Sequence, residues 1–193
     1  MKKNFALLLI AAGIFSACRN NRPKNETPPQ NAGKNFFPVT DFIRSEINYV
    51  DSLPLGILKY YTRNNRTDTS YIHAAAFNEL ADDFVCGDLR PAIFENEFSE
   101  SSFIDQSTQA TTFTYSTKNN KLELQRVDVL ATTGEVSNKV SSIYLEKSIR
   151  KNDTVITKKL LWKTRKSFQI VTIRQILDKK PEIEELRVVW DPE

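Results

Sequence analysis

The 193-residue sequence contains little of what metal and nucleophile sites are built from: two cysteines, one histidine and five glycines. A structural zinc site needs about four Cys, His or carboxylate ligands at close spacing, and His73 and Cys86 stand alone. The glycines are isolated, so they form no phosphate-binding loop, and no nucleophile-elbow or paired-histidine motif is present. The sequence therefore predicts no catalytic centre, no cofactor site and no metal site.

An excess of charge of one sign is also missing. The chain has 27 basic and 24 acidic residues. Two of the basic residues, Lys2 and Lys3, lie in an N-terminal segment with the features of an export signal, and without them 25 basic residues face 24 acidic ones. Nucleic-acid binding needs a concentrated basic face. We therefore expect no nucleic-acid partner.

Residues 1–17 have the pattern of a secretory signal. Lys2 and Lys3 give the positive start, and residues 5–15 form an unbroken apolar run. A membrane-spanning helix needs about 20 apolar residues, and this run is shorter and is followed by polar residues 19–22. The run therefore predicts a cleavable signal rather than a transmembrane helix.

Residues 15–18, Phe-Ser-Ala-Cys, resemble the lipobox of bacterial lipoproteins. Phe15 departs from the aliphatic residue usual at that position. The resemblance implies that the thiol of Cys18 receives diacylglycerol and that cleavage makes Cys18 the first mature residue. Two or three acyl chains hold a protein firmly on a membrane, whereas one holds it only marginally. The alternative is an ordinary secretory signal cleaved near Ala17.

Residues 18–35 predict a disordered tether, since they are polar and contain three prolines. As a flexible coil the tether would hold the domain roughly 20 to 25 Å from its anchor. Position 19 is Arg, not the Asp that retains Gram-negative lipoproteins in the inner membrane, and the first acidic residue is Glu26. The lipoprotein resemblance therefore implies an outer-membrane protein of the cell envelope that faces the periplasm.

Residues 36–193 predict one α+β domain, because a chain of this length suits a single core. Apolar spacing predicts a first helix capped by Thr40 and closed by Pro54, a second helix over 77–84, and a short third helix that starts at Pro91 and includes Phe98. Two β-rich runs, 57–62 and 69–74, flank the polar residues 63–66 and predict a hairpin.

The rest of the domain predicts an antiparallel β-meander, because short polar turns leave no room for crossover helices. The phase of alternation shifts between Leu124 and Val127, which predicts a bulge, and Lys147 interrupts the alternation of its strand. We expect the helices on one face of the sheet, which could be strongly curved as a cone or half-barrel. The expected strands are 110–116, 122–131, 140–150, 154–164, 168–176 and 186–190.

The two ends of the domain carry a further resemblance. Residues 36–43, Phe-Phe-Pro-Val-Thr-Asp-Phe-Ile, and residues 188–191, Val-Val-Trp-Asp, resemble the ends of a group of small envelope lipoproteins. The resemblance would cover most of the mature chain. It brings no known activity with it.

Cys86 and His73, with the nearby Asp82, Asp83 and Asp88, are the residues from which a cysteine–histidine hydrolase could be built. We expect Cys86 to be a buried, inert thiol at a helix C-terminus, where the helix dipole disfavours a thiolate. With Cys18 lipidated, no disulfide within the chain is possible. The carboxylate pairs 82/83 and 95/97 could act in acid–base chemistry but are typical of a solvated helix face.

Charge is distributed unevenly along the domain. Residues 79–105 hold eight acidic side chains and one basic, whereas residues 139–174 hold ten basic and two acidic. The late strands could therefore present a basic face to an anionic partner such as lipid headgroups or envelope glycans. The favoured interpretation is solubilising charge, with lysines protecting a sheet edge.

Several aromatic residues could line an apolar pocket under the helices, as in carriers of lipidic cargo, or could simply fill a core. Our preferred hypothesis is a non-enzymatic envelope lipoprotein whose domain binds a protein partner or an apolar or anionic ligand near its membrane. A structural or assembly role without a small ligand comes second, and a carrier or hydrolase third. The aromatic residues in question are Phe98, Phe103, Phe113, Tyr115, Tyr144, Trp162 and Phe168.

Overall fold

A computed structural model describes residues 36–54, 56–133 and 138–191. The predicted signal, the predicted tether and Cys18 lie outside the described residues, as does part of the turn expected at 132–135. None of the described helices is long and apolar enough to cross a membrane.

The described chain forms three α-helices, two short 3₁₀ helices and nine strands. The α-helices are α1 (Val39–Asp51), α2 (Ala74–Ala81) and α3 (Pro91–Glu97), and the 3₁₀ helices Asp82–Phe84 and Gly87–Leu89 lie between α2 and α3. The strands are β1 (Ile57–Arg63), β2 (Arg66–Ile72), β3 (Phe98–Asp105), β4 (Ala110–Thr117), β5 (Leu124–Thr133), β6 (Asn138–Lys151), β7 (Thr154–Lys163), β8 (Ser167–Ile176) and β9 (Glu182–Val189).

All nine strands belong to one antiparallel sheet, in the order β2-β1-β9-β8-β7-β6-β5-β4-β3. Strands β3 to β9 are consecutive neighbours, and the β1–β2 hairpin joins this meander by pairing β1 with β9. The α+β class and the antiparallel meander are thus confirmed. The sheet is open, and β2 and β3 form its two edges.

Tight turns explain why neighbouring strands pair so directly. Asn64 and Asn65 connect β1 to β2 with positive φ angles of 50° and 59°. A two-residue turn with both φ angles positive matches the twist of the strands, and Asn tolerates this conformation better than most residues. In the two-residue turn between β6 and β7, Asn152 has a positive φ of 51° and Asp153 does not.

The core lies between the sheet and the helices, which cover one face. On that face Leu145, Leu160 and Ile170 are buried in neighbouring strands, and their cross-strand register places them side by side. Rings from α2 and from the first 3₁₀ helix, Phe77 and Phe84, pack on the same face. The prediction of helices on one face is confirmed, and we call this the helix-covered face.

Two local predictions are confirmed and two are wrong. The register of β5 shifts between Leu124 and Arg126, where a bulge was expected. Pro91 is the first residue of α3. Thr40 does not cap α1: Pro38 is the N-cap residue, and no side chain caps that end. Phe98 is not helical but begins β3, a strand that the sequence did not predict.

Other helices and strands are present as predicted, but their ends differ from the predicted ends by a few residues. The second hairpin strand stops at Ile72, because His73 already caps α2 by accepting a hydrogen bond from the Ala76 amide at 3.2 Å. The predicted second helix continues past Ala81 only as a 3₁₀ turn. The last strand starts at Glu182, four residues before the expected start.

Candidate functional site

A cleft of about 470 Å³ opens between the start of α1 and the segment that joins α2 to α3. One wall comes from residues 36–44, the first described residues of the domain, and the other from residues 85–95. Phe37, Val39, Val85, Leu89 and Phe94 give it apolar walls. Its volume and apolar lining are those of a small-ligand site.

Aromatic packing fixes the wall formed by the first residues. The Phe36 ring lies 5.1 Å from the rings of Phe94 and Tyr115. The Phe37 amide donates a hydrogen bond to the Tyr115 Oη at 3.2 Å. Burial raises the pKa of Tyr115 to about 12, so this hydroxyl stays neutral at ordinary pH. The chain is thus fastened to β4 before α1 begins.

A buried carboxylate holds α1 in place. Glu46 is 2% exposed and accepts a hydrogen bond from the backbone amide of Arg165 at 2.8 Å. It also forms a 3.1 Å ion pair with the Arg165 guanidinium, which lies 3.6 Å from the centre of the Tyr49 ring. Arg165 has φ 65° in the β7–β8 turn. Glu46 therefore ties the helix that carries one cleft wall to the sheet.

Charged side chains at the rim balance one another. Arg44 and Arg90 line the cleft with Asp41 and Glu95, and all four are exposed. Arg90 is partly fixed, because its Nε donates to the carbonyl of Gly87 at 2.9 Å. The charged side chains of the rim give the cleft no net charge. With two positive and two negative groups, the rim therefore favours neither an anionic nor a cationic ligand.

Cys86 and His73 have separate roles in the fold and form no catalytic pair. His73 is committed to capping α2. Cys86 lines the cleft and is half-buried, and it lies between the two 3₁₀ helices, so its predicted place at a helix C-terminus is wrong. Burial raises the pKa of the Cys86 thiol, and the nearby Lys147 opposes that effect. Burial, and not a helix dipole, is therefore the main cause of the raised pKa of this thiol.

We predict that the Cys86 thiol of the native protein reacts slowly with thiol reagents at pH 8, because its raised pKa keeps it protonated. The rate should approach that of a free thiol only after unfolding in denaturant. Cys86→Ser should leave the circular dichroism spectrum and melting temperature nearly unchanged. Rapid labelling of the folded protein would contradict the prediction.

Two inward-facing lysines lie beneath the first 3₁₀ helix. Lys147 on β6 and Lys158 on β7 are directly paired across the strands. Lys158 Nζ contacts both carboxylate oxygens of Asp83, at 2.8 and 2.7 Å, and Lys147 Nζ donates to the Asp83 backbone carbonyl. Lys147 is only 5% exposed. Like charges opposite each other are unfavourable, so Asp83 is what makes this pairing tolerable.

The acidic helical segments and the basic late strands meet at two ion pairs. These pairs are Asp83–Lys158 and Glu46–Arg165. The basic strands β6, β7 and β8 lie in the middle of the sheet. The prediction that their lysines protect a sheet edge is therefore wrong. Their basic residues also alternate between the two faces, which gives no single basic face.

The aromatic residues proposed as pocket lining have several fates. Trp162 and Phe168 are fully buried and stack on each other, with ring centroids 5.4 Å apart. Phe98 and Tyr115 are buried near the cleft. Phe103 is 69% exposed at the sheet edge, which makes its predicted place under the helices wrong. Beneath α2 the interior is filled with rings.

Three of the four candidate carboxylates remain at the surface, and the fourth, Asp83, forms an ion pair with Lys158. Asp82, Glu95 and Glu97 are exposed, and Glu97 accepts a hydrogen bond from the Asn119 side chain at 2.9 Å. Within the described residues, no group of three or more His, Cys, Asp or Glu side chains could hold a metal ion.

Sequence reasoning missed the cleft. Its two walls are separated by about forty residues in the chain, and no local sequence pattern connects them. The signals that point to it are Phe36 and Phe37 ahead of α1 and Pro91 at the start of α3. Compared with known proteins, the chain matches no protein-family model, no curated protein and no solved structure.

Proposed function

We propose that this chain is an envelope lipoprotein anchored through Cys18, whose domain is a non-enzymatic binding domain. In this proposal the cleft between α1 and α3 accepts an apolar group of a partner close to the membrane. The proposal keeps the outer membrane, facing the periplasm, as the site of action, on the basis of Arg19.

The observation that carries this proposal is the composition and place of the cleft. Its walls are apolar, and its volume of about 470 Å³ suits a small ligand or an inserted side chain. One wall is made by residues 36–44, directly after the predicted tether. A ligand held there would contact the first described residues of the domain.

A binding role agrees better with the chemistry of the cleft than an enzymatic role does. Its cysteine has a raised pKa, which disfavours a nucleophilic thiolate. The charged groups at its rim are exposed, whereas catalytic acids and bases are usually at least partly buried. A hydrolase therefore remains the weaker hypothesis.

The second candidate is a structural or assembly role without a small ligand. The filled interior favours it, since Phe77, Trp162, Phe168 and Trp190 occupy the space where an internal cargo cavity would lie. The same filling makes a carrier with a deep internal cavity the third choice.

The proposal is tested by filling the cleft from its rim. A Cβ at Gly87 would meet only the flexible Arg90 side chain, at 3.9 Å, so Gly87→Trp should fold normally and place its ring in the cleft. A photo-crosslinking amino acid at Phe37 in growing cells should give a defined adduct, whose mass separates a lipid from a protein. Gly87→Trp should abolish that adduct, and Gly87→Ala should retain it.

A crosslinker at the exposed Tyr71, far along the sheet at the β2 edge, serves as the control for random encounters. Equal adducts from positions 37 and 71 would contradict binding in the cleft. Adducts that survive Gly87→Trp would contradict it as well. If position 37 gives none while the protein stays in the envelope, the structural role becomes the better hypothesis.

A further inference from the structure

Strand β3 forms one edge of the sheet, and most of its residues are exposed. It pairs with β4 on one side, in an unbroken register from Phe98 opposite Thr117 to Asp105 opposite Ala110. Its six central residues are all exposed. Phe103 and Ile104 are 69% and 65% exposed, one on each face of the strand. Among the described residues no strand pairs with the other side of β3, which offers backbone donors and acceptors together with apolar side chains.

Edge strands of soluble proteins are usually blunted by lysine, proline or a bulge. The sequence of β3, Phe-Ser-Glu-Ser-Ser-Phe-Ile-Asp, contains neither lysine nor proline, and its register with β4 shows no shift. The opposite edge, β2, begins with Arg66 and also contains Asp68, and its exposed Tyr71 lies beside Gly56. The charged residues of β3 are Glu100 and Asp105, and its other exposed positions leave this edge open to strand addition.

We propose that β3 pairs antiparallel with β3 of a second copy, about a two-fold axis at Phe103. In a continuous sheet the two copies keep the same face on the same side, so odd residues meet odd and even residues meet even. With the axis at Phe103, this ring lies opposite its own counterpart. Ile104 lies opposite Ser102 of the second copy and diagonal to Ile104 of that copy.

The strand is complementary to itself in this register. Aromatic pairs and apolar diagonal neighbours stabilise antiparallel strands, and like charges directly opposite destabilise them. Asp105 lies opposite Ser101 of the second copy. Glu100 lies opposite Gln106 of that copy, which follows the last residue of its β3. Asp105 is also occupied within its own turn, since it accepts hydrogen bonds from the Ser107 and Thr108 hydroxyls at 2.7 and 2.9 Å. No carboxylate faces another.

The compatibility of β3 with itself favours a second copy as its partner. A shift of the axis to Ser101 would place Asp105 opposite Glu97, so only registers near Phe103 join the apolar residues without opposing acids. A two-fold contact uses the same surface on both copies and closes on itself. It therefore gives a dimer and no filament. The pairing needs neither the cleft nor the anchor, so it stands independently of the proposed function.

Disulfide trapping in the full-length protein in its membrane tests the register. In a Cys86→Ala background, Phe103→Cys places two thiols directly opposite each other, within the Cα separation that a disulfide spans. Ser101→Cys is the matched control on the same strand and face. In the proposed register its two copies are about 13 Å apart along the strand and cannot be bridged.

A linked dimer on non-reducing electrophoresis for Phe103→Cys, several-fold above that for Ser101→Cys, supports the pairing. The Cys86→Ala background alone reports any contribution of Cys18. Equal crosslinking at both positions, or none at position 103, would overturn the register.

Because Phe103→Cys removes the ring, a second measurement uses the unmodified strand. Sedimentation in density-matched detergent should give a dimer for the parent. Phe103→Lys should weaken that dimer roughly tenfold or more, because it removes the aromatic pair and opposes two charges. Tyr71→Lys, at the other edge, should stay dimeric. A monomeric parent, or a Phe103→Lys protein that dimerises as well as the parent, would refute the proposal.

Discussion

Replacing Cys18 by alanine is expected to abolish membrane attachment or signal processing. Cys18 is the cysteine that follows the small residues Ser16 and Ala17 at the end of the apolar run. Without its thiol no acyl chain can be added, and no described helix replaces the lost anchor. Detergent phase separation should therefore show nearly all of the protein outside the detergent phase. Alternatively, electrophoresis should show it at the mass of the uncleaved precursor.

Cys86→Ala is the matched control, because it removes the chain's other cysteine without touching the lipobox. It should be processed and retained like the parent. Normal processing and retention of the Cys18→Ala protein would contradict the lipobox interpretation. Cleavage near Ala17 with release of a soluble product from both proteins would instead indicate an ordinary secretory signal.

Separation of the inner and outer membranes tests the predicted location of the protein. The parent should sediment with outer-membrane markers, and protease added to intact cells should leave the domain uncut until the outer membrane is permeabilised. Recovery with inner-membrane markers would mean that Arg19 does not direct sorting in this organism. Digestion on intact cells would place the domain at the cell surface.

The elements that sequence reasoning predicted well are those with strong local signals. Asn64 and Asn65 mark the hairpin because few other residues adopt a left-handed conformation at low cost. The alternation of Ile143, Leu145 and Ile149 identified a strand with one buried face, and Lys147 shares that face. Lys147 is therefore no interruption of the pattern but a buried lysine with a specific acceptor, the Asp83 carbonyl.

Strand β3 was missed because an edge strand buries little. Six of its eight residues are exposed, so no alternation separates its faces. Phe98 was assigned to the preceding helix, and its ring does pack on Phe94 with centroids 4.8 Å apart. The two rings are in contact although the backbone of Phe98 is extended. Side-chain proximity between neighbours in sequence does not by itself distinguish a helix end from a strand start.

The cleft and the Glu46–Arg165 pair could not be predicted, because both depend on tertiary contacts. Glu46 lies on α1 and Arg165 in a turn 119 residues later. In the sequence Glu46 is typical of a solvated helix position, yet it is among the most buried charged residues described. Its burial follows from the packing of α1 across the β7–β8 turn, and hydrophobic periodicity carries no information on that packing.

Trp162→Ala is expected to have the largest effect on stability. The Trp162 ring is fully buried at the centre of the ring cluster, with centroids 5.1 Å from Phe84 and 5.4 Å from both Phe168 and Trp190. Truncating a buried tryptophan to alanine costs about 3 to 5 kcal/mol, since the rigid neighbours cannot close the cavity. Domains of this size are stable by only about 5 to 15 kcal/mol.

Urea unfolding followed by circular dichroism measures this loss, because fluorescence would change with the tryptophan itself. We expect a large decrease in the midpoint at an unchanged slope. Leu161→Ala is the control. It alters the adjacent residue of β7, which is half-buried on the opposite face, and should cost about 1 kcal/mol. If both substitutions cost the same, the ring cluster would not be the centre of the core. In that case the space under α2 would be deformable enough to admit a ligand, and a carrier would regain its place among the hypotheses.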